Sequence, residues 1–177
     1  MRKQPGSVLV TFDGSHCDRI RKELGVRIDF PRLLRFLVGP DVPVLAIYYK
    51  DMRDEAERDR QSGLLRRLSA GGFEVRGAAP EDFGSGPWER YGTNLVEMAV
   101  DVMTIAPGID RVILVAGDRK LIPLVHALQA GGIQVTVATA LNIPEAIRAS
   151  EKLIEAASAH VDLTQHFESE PPQQQRG

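Results

Sequence analysis

Two aspartates directly follow apolar runs that are typical of buried strands. Asp13 comes after residues 8–12, and Asp118 comes after residues 112–117, which end in Ala-Gly. The carboxyl ends of parallel strands form the edge at which α/β proteins bind ligands, so the two carboxylates are expected to meet there. The pair predicts one shared acidic site. Either aspartate alone is also typical of a residue that caps the next helix.

A third aspartate lies inside an apolar helical pattern at residues 94–106. Asp101 is flanked there by Val100 and Val102, and Glu97 lies four residues before it on the same helical face. A buried carboxylate needs an ion pair, a hydrogen bond or a cation, because leaving it bare costs several kcal/mol. Two acids on one face repel each other unless a cation lies between them, and oxygen ligands favour Mg²⁺ or Mn²⁺. An arginine partner for Asp101 and a solvent-facing position for Glu97 are the alternatives.

The elements that would position these acids alternate between strands and helices. Strands are predicted at 8–12, 42–49, 73–77, 111–116 and 133–138, with a short last strand at 161–163. Helices are predicted at 16–24, 30–38, 52–70, 94–106, 121–129 and 144–158. This alternation indicates an α/β protein with a mainly parallel sheet of five or six strands covered on both faces. We expect a flexible start at 1–6, one domain at 7–166 and a disordered tail at 167–177.

Bulk properties narrow the class of protein. A chain of 177 residues suits one domain, and its net charge of -2 means that RNA binding would depend on local basic clusters. The single cysteine, Cys17, excludes an intramolecular disulfide and fits a reducing compartment. No apolar run approaches the roughly 20 residues that span a bilayer, so we expect a cytoplasmic protein without membrane contact. A homodimer through the apolar residues of segment 33–37 is left open.

The order of these features resembles the NYN domain, the PIN-like nuclease branch that includes the LabA-like bacterial proteins. The matching pieces are residues 12–15 (Phe-Asp-Gly-Ser), 99–101 (Ala-Val-Asp), 114–118 (Leu-Val-Ala-Gly-Asp), 121–125 and 128–135. The resemblance covers most of residues 7–163. It implies a three-layer α/β/α fold and a divalent-metal centre that cleaves RNA by attack of water on phosphate. It also implies that Asp13, Asp101 and Asp118 bind Mg²⁺ or Mn²⁺ or position the attacking water.

Three positions depart from the pattern of that family. The acid expected before Ala-Val-Asp falls on Leu95, the second acid after Gly-Asp falls on Lys120, and the asparagine of the opening motif falls on His16. Metal binding should weaken unless Glu97 or Asn94 acts as a further ligand, and Lys120 would neutralise a neighbouring carboxylate in place of metal. The sequence thus leaves two hypotheses, an active ribonuclease and an inactive module that binds RNA or a protein. A phosphotransfer enzyme or receiver domain is disfavoured, because the first strand lacks a second acid.

RNA contacts are predicted around the same edge of the sheet. Basic side chains would hold the phosphate backbone, polar side chains would contact a phosphate, and one aromatic ring would stack on a base. These are Arg90, Arg119 and Lys120 for the backbone, Ser15 and His16 for a phosphate, and Trp88 for stacking. A capping or surface role for His16 and a buried anchoring role for Trp88 are the alternatives.

Overall fold

The computed structural model describes residues 6–82 and 92–169. Within them, β1 (Ser7–Asp13), β2 (Val26–Arg27), β3 (Val42–Tyr49), β4 (Glu74–Arg76), β5 (Arg111–Val115), β6 (Gln134–Thr139), β7 (Ala159–Asp162) and β8 (Glu168–Ser169) are the strands. Six of these form one sheet in the order β4-β3-β1-β5-β6-β7, in which every neighbouring pair is parallel. Strands β2 and β8 form a separate antiparallel pair. The predicted α/β class with a mainly parallel sheet is confirmed.

The helices between these strands are α1 (Gly14–Leu24), α2 (Phe30–Val38), α3 (Glu55–Ala70), α4 (Thr93–Ile105), α5 (Ile122–Ala130) and α6 (Glu151–Ala156). Short 3₁₀ turns lie at Pro80–Asp82, Arg119–Leu121, Glu145–Ile147 and Thr164–His166. Helix ends follow local chemistry: α2 begins after Asp29, which accepts a hydrogen bond from the N–H of Arg32, and ends at Gly39 with a positive φ. No helix in the described parts of the chain has the length and apolarity needed to cross a membrane.

Helices cover both faces of the sheet because successive strand residues point to opposite sides. On one face Leu9 packs in a core with Met98 of α4. On the other face Val10 packs in a core with Leu33 and Leu37 of α2. The arrangement is therefore three-layered, α/β/α. Leu33 and Leu37, which the sequence left open for a partner surface, belong to this core.

Two predicted segments differ from the structure. The single helix expected at 144–158 is wrong: a 3₁₀ turn ends before Arg148, which is extended, and α6 starts only at Glu151. The chain is held there by a 2.9 Å hydrogen bond from the N–H of Ser150 to the carbonyl of Gly117. The tail predicted as disordered from residue 167 begins instead with β8, and residues 170–177 lie outside the described residues.

Candidate functional site

The strand order reverses around β1, which pairs with β3 on one side and β5 on the other. Parallel sheets bind ligands at such a reversal, beyond the carboxyl ends of the strands. A cleft of about 170 Å³ opens at this point, and we call it the β1 cleft. It is lined by Asp13, Ser15, Arg19, Asp51, Arg53, Gly92, Asn94, Leu95, Asp118 and Lys120. Three carboxylates and three cationic side chains thus share one small space.

Asp13 is the most enclosed carboxylate of the β1 cleft, with 2% of the residue exposed. Its Oδ1 accepts hydrogen bonds from the N–H of Ser15 and from Nδ2 of Asn94, both at 3.0 Å. Burial raises the pKa of this carboxyl, although the N–H groups of His16 and Ser15 and the guanidinium of Arg19 act in the opposite direction. A cation in the cleft would therefore offset a real desolvation cost.

Two glycines allow the strand ends to come this close. A Cβ on Gly14 would lie 2.7 Å from the ring of Tyr48 and 2.7 Å from the carbonyl oxygen of Tyr49. A Cβ on Gly117 would lie 2.5 Å from Cε1 of His16. In both Asp13-Gly14 and Gly117-Asp118, a carboxylate is therefore adjacent to a position that has no room for a side chain.

Asp118 is the more accessible carboxylate, with 29% of its side chain exposed. It accepts a 2.9 Å hydrogen bond from the N–H of Lys120 at the start of the 3₁₀ turn, and its Oδ2 lies 3.9 Å from the ammonium Nζ of Lys120. The Lys120 side chain is 66% exposed, and exposed pairs of this kind contribute about 0–1 kcal/mol. Lys120 thus neutralises Asp118 through a contact that another cation can replace.

Asp51 was missed in the sequence, as was Arg19 of the same cleft. Its two carboxylate oxygens accept hydrogen bonds from the N–H of Ala78 at 2.9 Å and of Asn94 at 3.0 Å. Asp51 therefore links the end of β3 to the start of α4. The signal was available, because Asp51 comes just after the apolar run 42–49, with only Lys50 between them.

Leu95, the position where the family pattern has an acid, does not reach the cleft with a polar group. It is 7% exposed and packs in the core between the sheet and α4. The neighbouring Asn94, which the sequence offered as a further metal ligand, directs its side chain at Asp13. Asn94 therefore places a neutral amide, and no charge, beside Asp13.

Asp101 does not line the β1 cleft. Its Oδ2 lies 2.6 Å from a guanidinium nitrogen of Arg76 and accepts a 3.0 Å hydrogen bond from the hydroxyl of Tyr49. Glu97 is also outside the cleft lining, and burial together with the charges of Asp101 and Asp51 raises the pKa of its carboxyl. The structure thus brings Asp13 and Asp118 together, and it pairs Asp101 with an arginine elsewhere.

His16 is 1% exposed and lies inside the protein, not on the wall of the cleft. Its Nε2 is 2.9 Å from the hydroxyl oxygen of Thr139, and burial lowers the pKa of the imidazole to about 4. A neutral, enclosed ring cannot contact a phosphate in this conformation. The predicted RNA contact of His16 is therefore replaced by an internal bond to β6.

Only some of the other residues predicted to contact RNA lie at the β1 cleft. Ser15 and Lys120 line the β1 cleft, whereas Arg119 is exposed beside it without lining it. Arg90 and Trp88 lie outside the described residues. Within the described residues, the cations on the cleft wall are Lys120, Arg19 and Arg53.

The side chains that line the β1 cleft include several possible ligands for a divalent metal ion. All its candidate ligands are oxygens, which suits Mg²⁺ or Mn²⁺. Among residues 6–82 and 92–169, no group of three acid, histidine or cysteine side chains is arranged to hold a metal ion. Mg²⁺ often uses only one or two carboxylates, keeps several waters and takes a substrate phosphate as a further ligand. The cleft therefore fits one such ion and not a cage made of protein alone.

Comparisons with known proteins agree with this geometry. The sequence matches the family model described as NYN domain over residues 7–164. The fold is similar to the crystal structure of a protein of unknown function from Vibrio parahaemolyticus, with a TM-score of 0.72 and 23% sequence identity. That likeness covers 92% of this chain and 96% of the other, and it supports the fold alone. A search of curated proteins found no match.

Proposed function

Because the chain belongs to the NYN domain family, we propose that it is a divalent-metal-dependent ribonuclease whose centre is the β1 cleft. The observation that carries the proposal is the buried carboxylate of Asp13 in one cleft with Asp118, at the reversal of strand order. A desolvated carboxylate that faces a cleft is typical of a functional site. The family match supports a nuclease-like function, and the carboxylates of the β1 cleft are residues that can bind the metal ion of such an enzyme.

The size and charge of the cleft favour a single RNA strand. A volume of about 170 Å³ corresponds to roughly five waters at about 30 Å³ each. A phosphate group and part of its hydration shell fit in that space, whereas a base-paired helix does not. Arg19, Arg53 and Lys120 on the wall would offset the charge of the phosphate backbone.

Each residue has a distinct task in this proposal. Asp13 and Asp118 would hold the metal ion, and Asn94 would orient Asp13 through the hydrogen bond that it donates. When bound, the divalent ion neutralises charge on the scissile phosphate and makes water more acidic. Arg19 and Arg53 would hold the phosphate in place. Asp101 is left out of this centre, because Arg76 and Tyr49 already bind its carboxylate.

Cleavage of fluorescent single-stranded RNA in Mg²⁺ or Mn²⁺ tests the proposal. We expect Asp118→Asn and Asp13→Asn each to abolish cleavage while the protein stays folded. Asp41→Asn is the matched control, because Asp41 is similarly exposed (28%) and ion-paired, with Arg111. An intact RNA pool with both metals would contradict the proposal. If Asp101→Asn lost cleavage while its stability was unchanged, Asp101 would have to be included in the catalytic centre.

A second function, RNA binding without cleavage, is favoured by one observation. Two positions where an acid was expected have none: Lys120 instead lies beside Asp118, and Leu95 packs in the core. A protein of this kind would bind RNA equally well in EDTA and in Mg²⁺ and would release no products. Equal affinity in both conditions together with uncut RNA would support this function over the first.

A further inference from the structure

A second and larger cleft lies on the other side of α1. It has a volume of about 710 Å³, within the usual range of ligand sites, and we call it the α1–α3 cleft. Its walls are α1, the segment 27–31 and α3. Neither the family match nor the proposed ribonuclease centre assigns it a role.

A buried lysine partly compensates the acids of the α1–α3 cleft. Asp18 and Glu57 each lie 3.1 Å from the ammonium of Lys50, whose side chain is only 7% exposed. Gln61 donates a further 3.0 Å hydrogen bond to Asp18. Asp29, the third acid of the lining, caps α2. Lys50 therefore reduces the repulsion that these carboxylates exert on an anion in the cleft, and the cations of the lining outnumber them.

The cations of the same cleft are not neutralised in this way. Its lining includes Arg21, Lys22, Arg27, Arg60 and Arg67. In the part of the chain that the structure describes, Nε of Arg21 has no hydrogen-bond partner, and the guanidinium group pairs with Asp18 at the long distance of 3.8 Å. Within the described residues, Lys22, Arg27, Arg60 and Arg67 form no side-chain ion pair or hydrogen bond. Five cations in one cleft of a chain with net charge -2 are a local concentration, and they favour an anionic ligand.

The two clefts are neighbours. Arg53 lines the β1 cleft, and its N–H donates a 3.1 Å hydrogen bond to Glu57 in the α1–α3 cleft. Both clefts are lined by α1: Ser15 lines the β1 cleft, and Lys22, about two turns later on the same face, lines the α1–α3 cleft. At 1.5 Å per residue these positions are about 10 Å apart along the helix, or roughly three nucleotides of a stacked strand at about 3.4 Å each.

We propose that the α1–α3 cleft binds the phosphate backbone of a single RNA strand, next to the segment that occupies the β1 cleft. This inference rests on the proposed ribonuclease function for its substrate. The larger apolar side chains at its base, Phe30 and Leu68, are 5% and 2% exposed, so they offer no ring for base stacking. Recognition there is electrostatic and independent of base sequence.

The test removes two cations from the cleft in the full chain. Arg60→Ala/Arg67→Ala is compared with Arg58→Ala/Arg66→Ala, which removes the same charge from the same helix outside the cleft lining. Fluorescence anisotropy in EDTA measures affinity for a labelled oligouridylate of roughly ten nucleotides and for one of roughly two, which is shorter than the estimated span of roughly three nucleotides between the clefts.

We expect the cleft variant to bind the longer RNA about tenfold more weakly near 0.15 M salt, with the salt slope lower by about 1.4, at about 0.7 for each lost phosphate contact. Its affinity for the short RNA should be unchanged, and the control variant should match the wild type. An equal loss in both variants, an unchanged long-RNA affinity, or equally tight binding of polyglutamate would overturn the inference.

The same experiment separates this inference from the ribonuclease proposal. Suppose that the wild type cuts no RNA in Mg²⁺ or Mn²⁺, but the cleft variant still binds long RNA more weakly than the control. The proposed RNA-binding role of the α1–α3 cleft is then supported, and the ribonuclease proposal is wrong. If the wild type cuts RNA and both variants bind and cut long RNA alike, only the proposed role of the α1–α3 cleft is wrong. A wild type that binds no RNA overturns both.

Discussion

Lys50→Met should strongly destabilise the protein. The ammonium of Lys50 lies 3.1 Å from a carboxylate oxygen of Asp18 and 3.1 Å from one of Glu57, and the Lys50 and Asp18 side chains are each 7% exposed. Methionine keeps most of the volume of the lysine stem but removes the charge. Two carboxylates then remain close together, with only the amide of Gln61 and the distant guanidinium of Arg21 as partners.

Breaking a buried ion pair by removal of one partner costs about 3–5 kcal/mol. A domain of this size loses about 2–4 °C in Tm for each kcal/mol, so we expect a decrease of about 6–20 °C. Although burial raises the pKa of Glu57, the N–H of Arg53 and the ammonium of Lys50 lower it below its ordinary value of 4.5 overall. The stability that Glu57 contributes is thus present above about pH 4.5 and lost below it.

The difference between Lys50→Met and wild type should therefore be largest near pH 7 and smaller near pH 4. Urea denaturation at both pH values, followed by circular dichroism, measures it. Arg58→Met is the matched control, because its ion pairs to Glu55 and Glu81 are exposed and should contribute no more than about 1 kcal/mol. If Lys50→Met cost no more than this control, or if its cost did not change with pH, the reasoning would be refuted.

Three further outcomes are expected. Gly117→Ala should cost about 1–3 kcal/mol by thermal denaturation, because its Cβ would lie 2.5 Å from His16, and His16→Ala should relieve most of that cost. Since burial lowers the pKa of His16 from 6.5 to about 4, wild-type stability should fall by on the order of 3 kcal/mol as the pH drops across that range; His16→Asn should show a flatter profile. Asn94→Asp should lower Tm in EDTA, because a second carboxylate would then lie about 3 Å from Asp13, and Mn²⁺ should restore it; an unchanged Tm in both conditions would contradict the geometry.

Much of the fold followed from the sequence because its signals are local. Strand 42–49 and helix 30–38 were predicted with the bounds that the structure has, since an apolar run or an Asp cap with a closing Gly specifies each one. The helix at 144–158 failed for the opposite reason. Its interruption depends on the hydrogen bond from Ser150 to Gly117, a contact between distant parts of the chain that no local pattern contains.

The candidate site could be predicted only where its residues end strands. Asp13 and Asp118 follow apolar runs, and both line the β1 cleft. Asp101 lies on a helix, and its contact with Arg76 is set by how that helix docks on β3 and β4, which helical periodicity cannot specify. A shift of one residue along a helix turns a side chain by about 100°. That rotation separates Leu95 in the core from Asn94 beside Asp13.

The amide of Asn94 and the ammonium of Lys120 have a common electrostatic effect on the β1 cleft. An acid in place of Asn94 would put two carboxylates in hydrogen-bond contact inside a cleft of about 170 Å³, and an acid in place of Lys120 would add a further one beside Asp118. Such a site is stable only with metal present, because like charges in a small buried space repel strongly. With an amide and an ammonium at these positions, the three carboxylates of the cleft face three cations, so the metal-free protein is less strained. The negative charge of an RNA phosphate shifts this balance towards cation binding. Metal and RNA should therefore bind the β1 cleft cooperatively, each increasing the affinity for the other by the same factor.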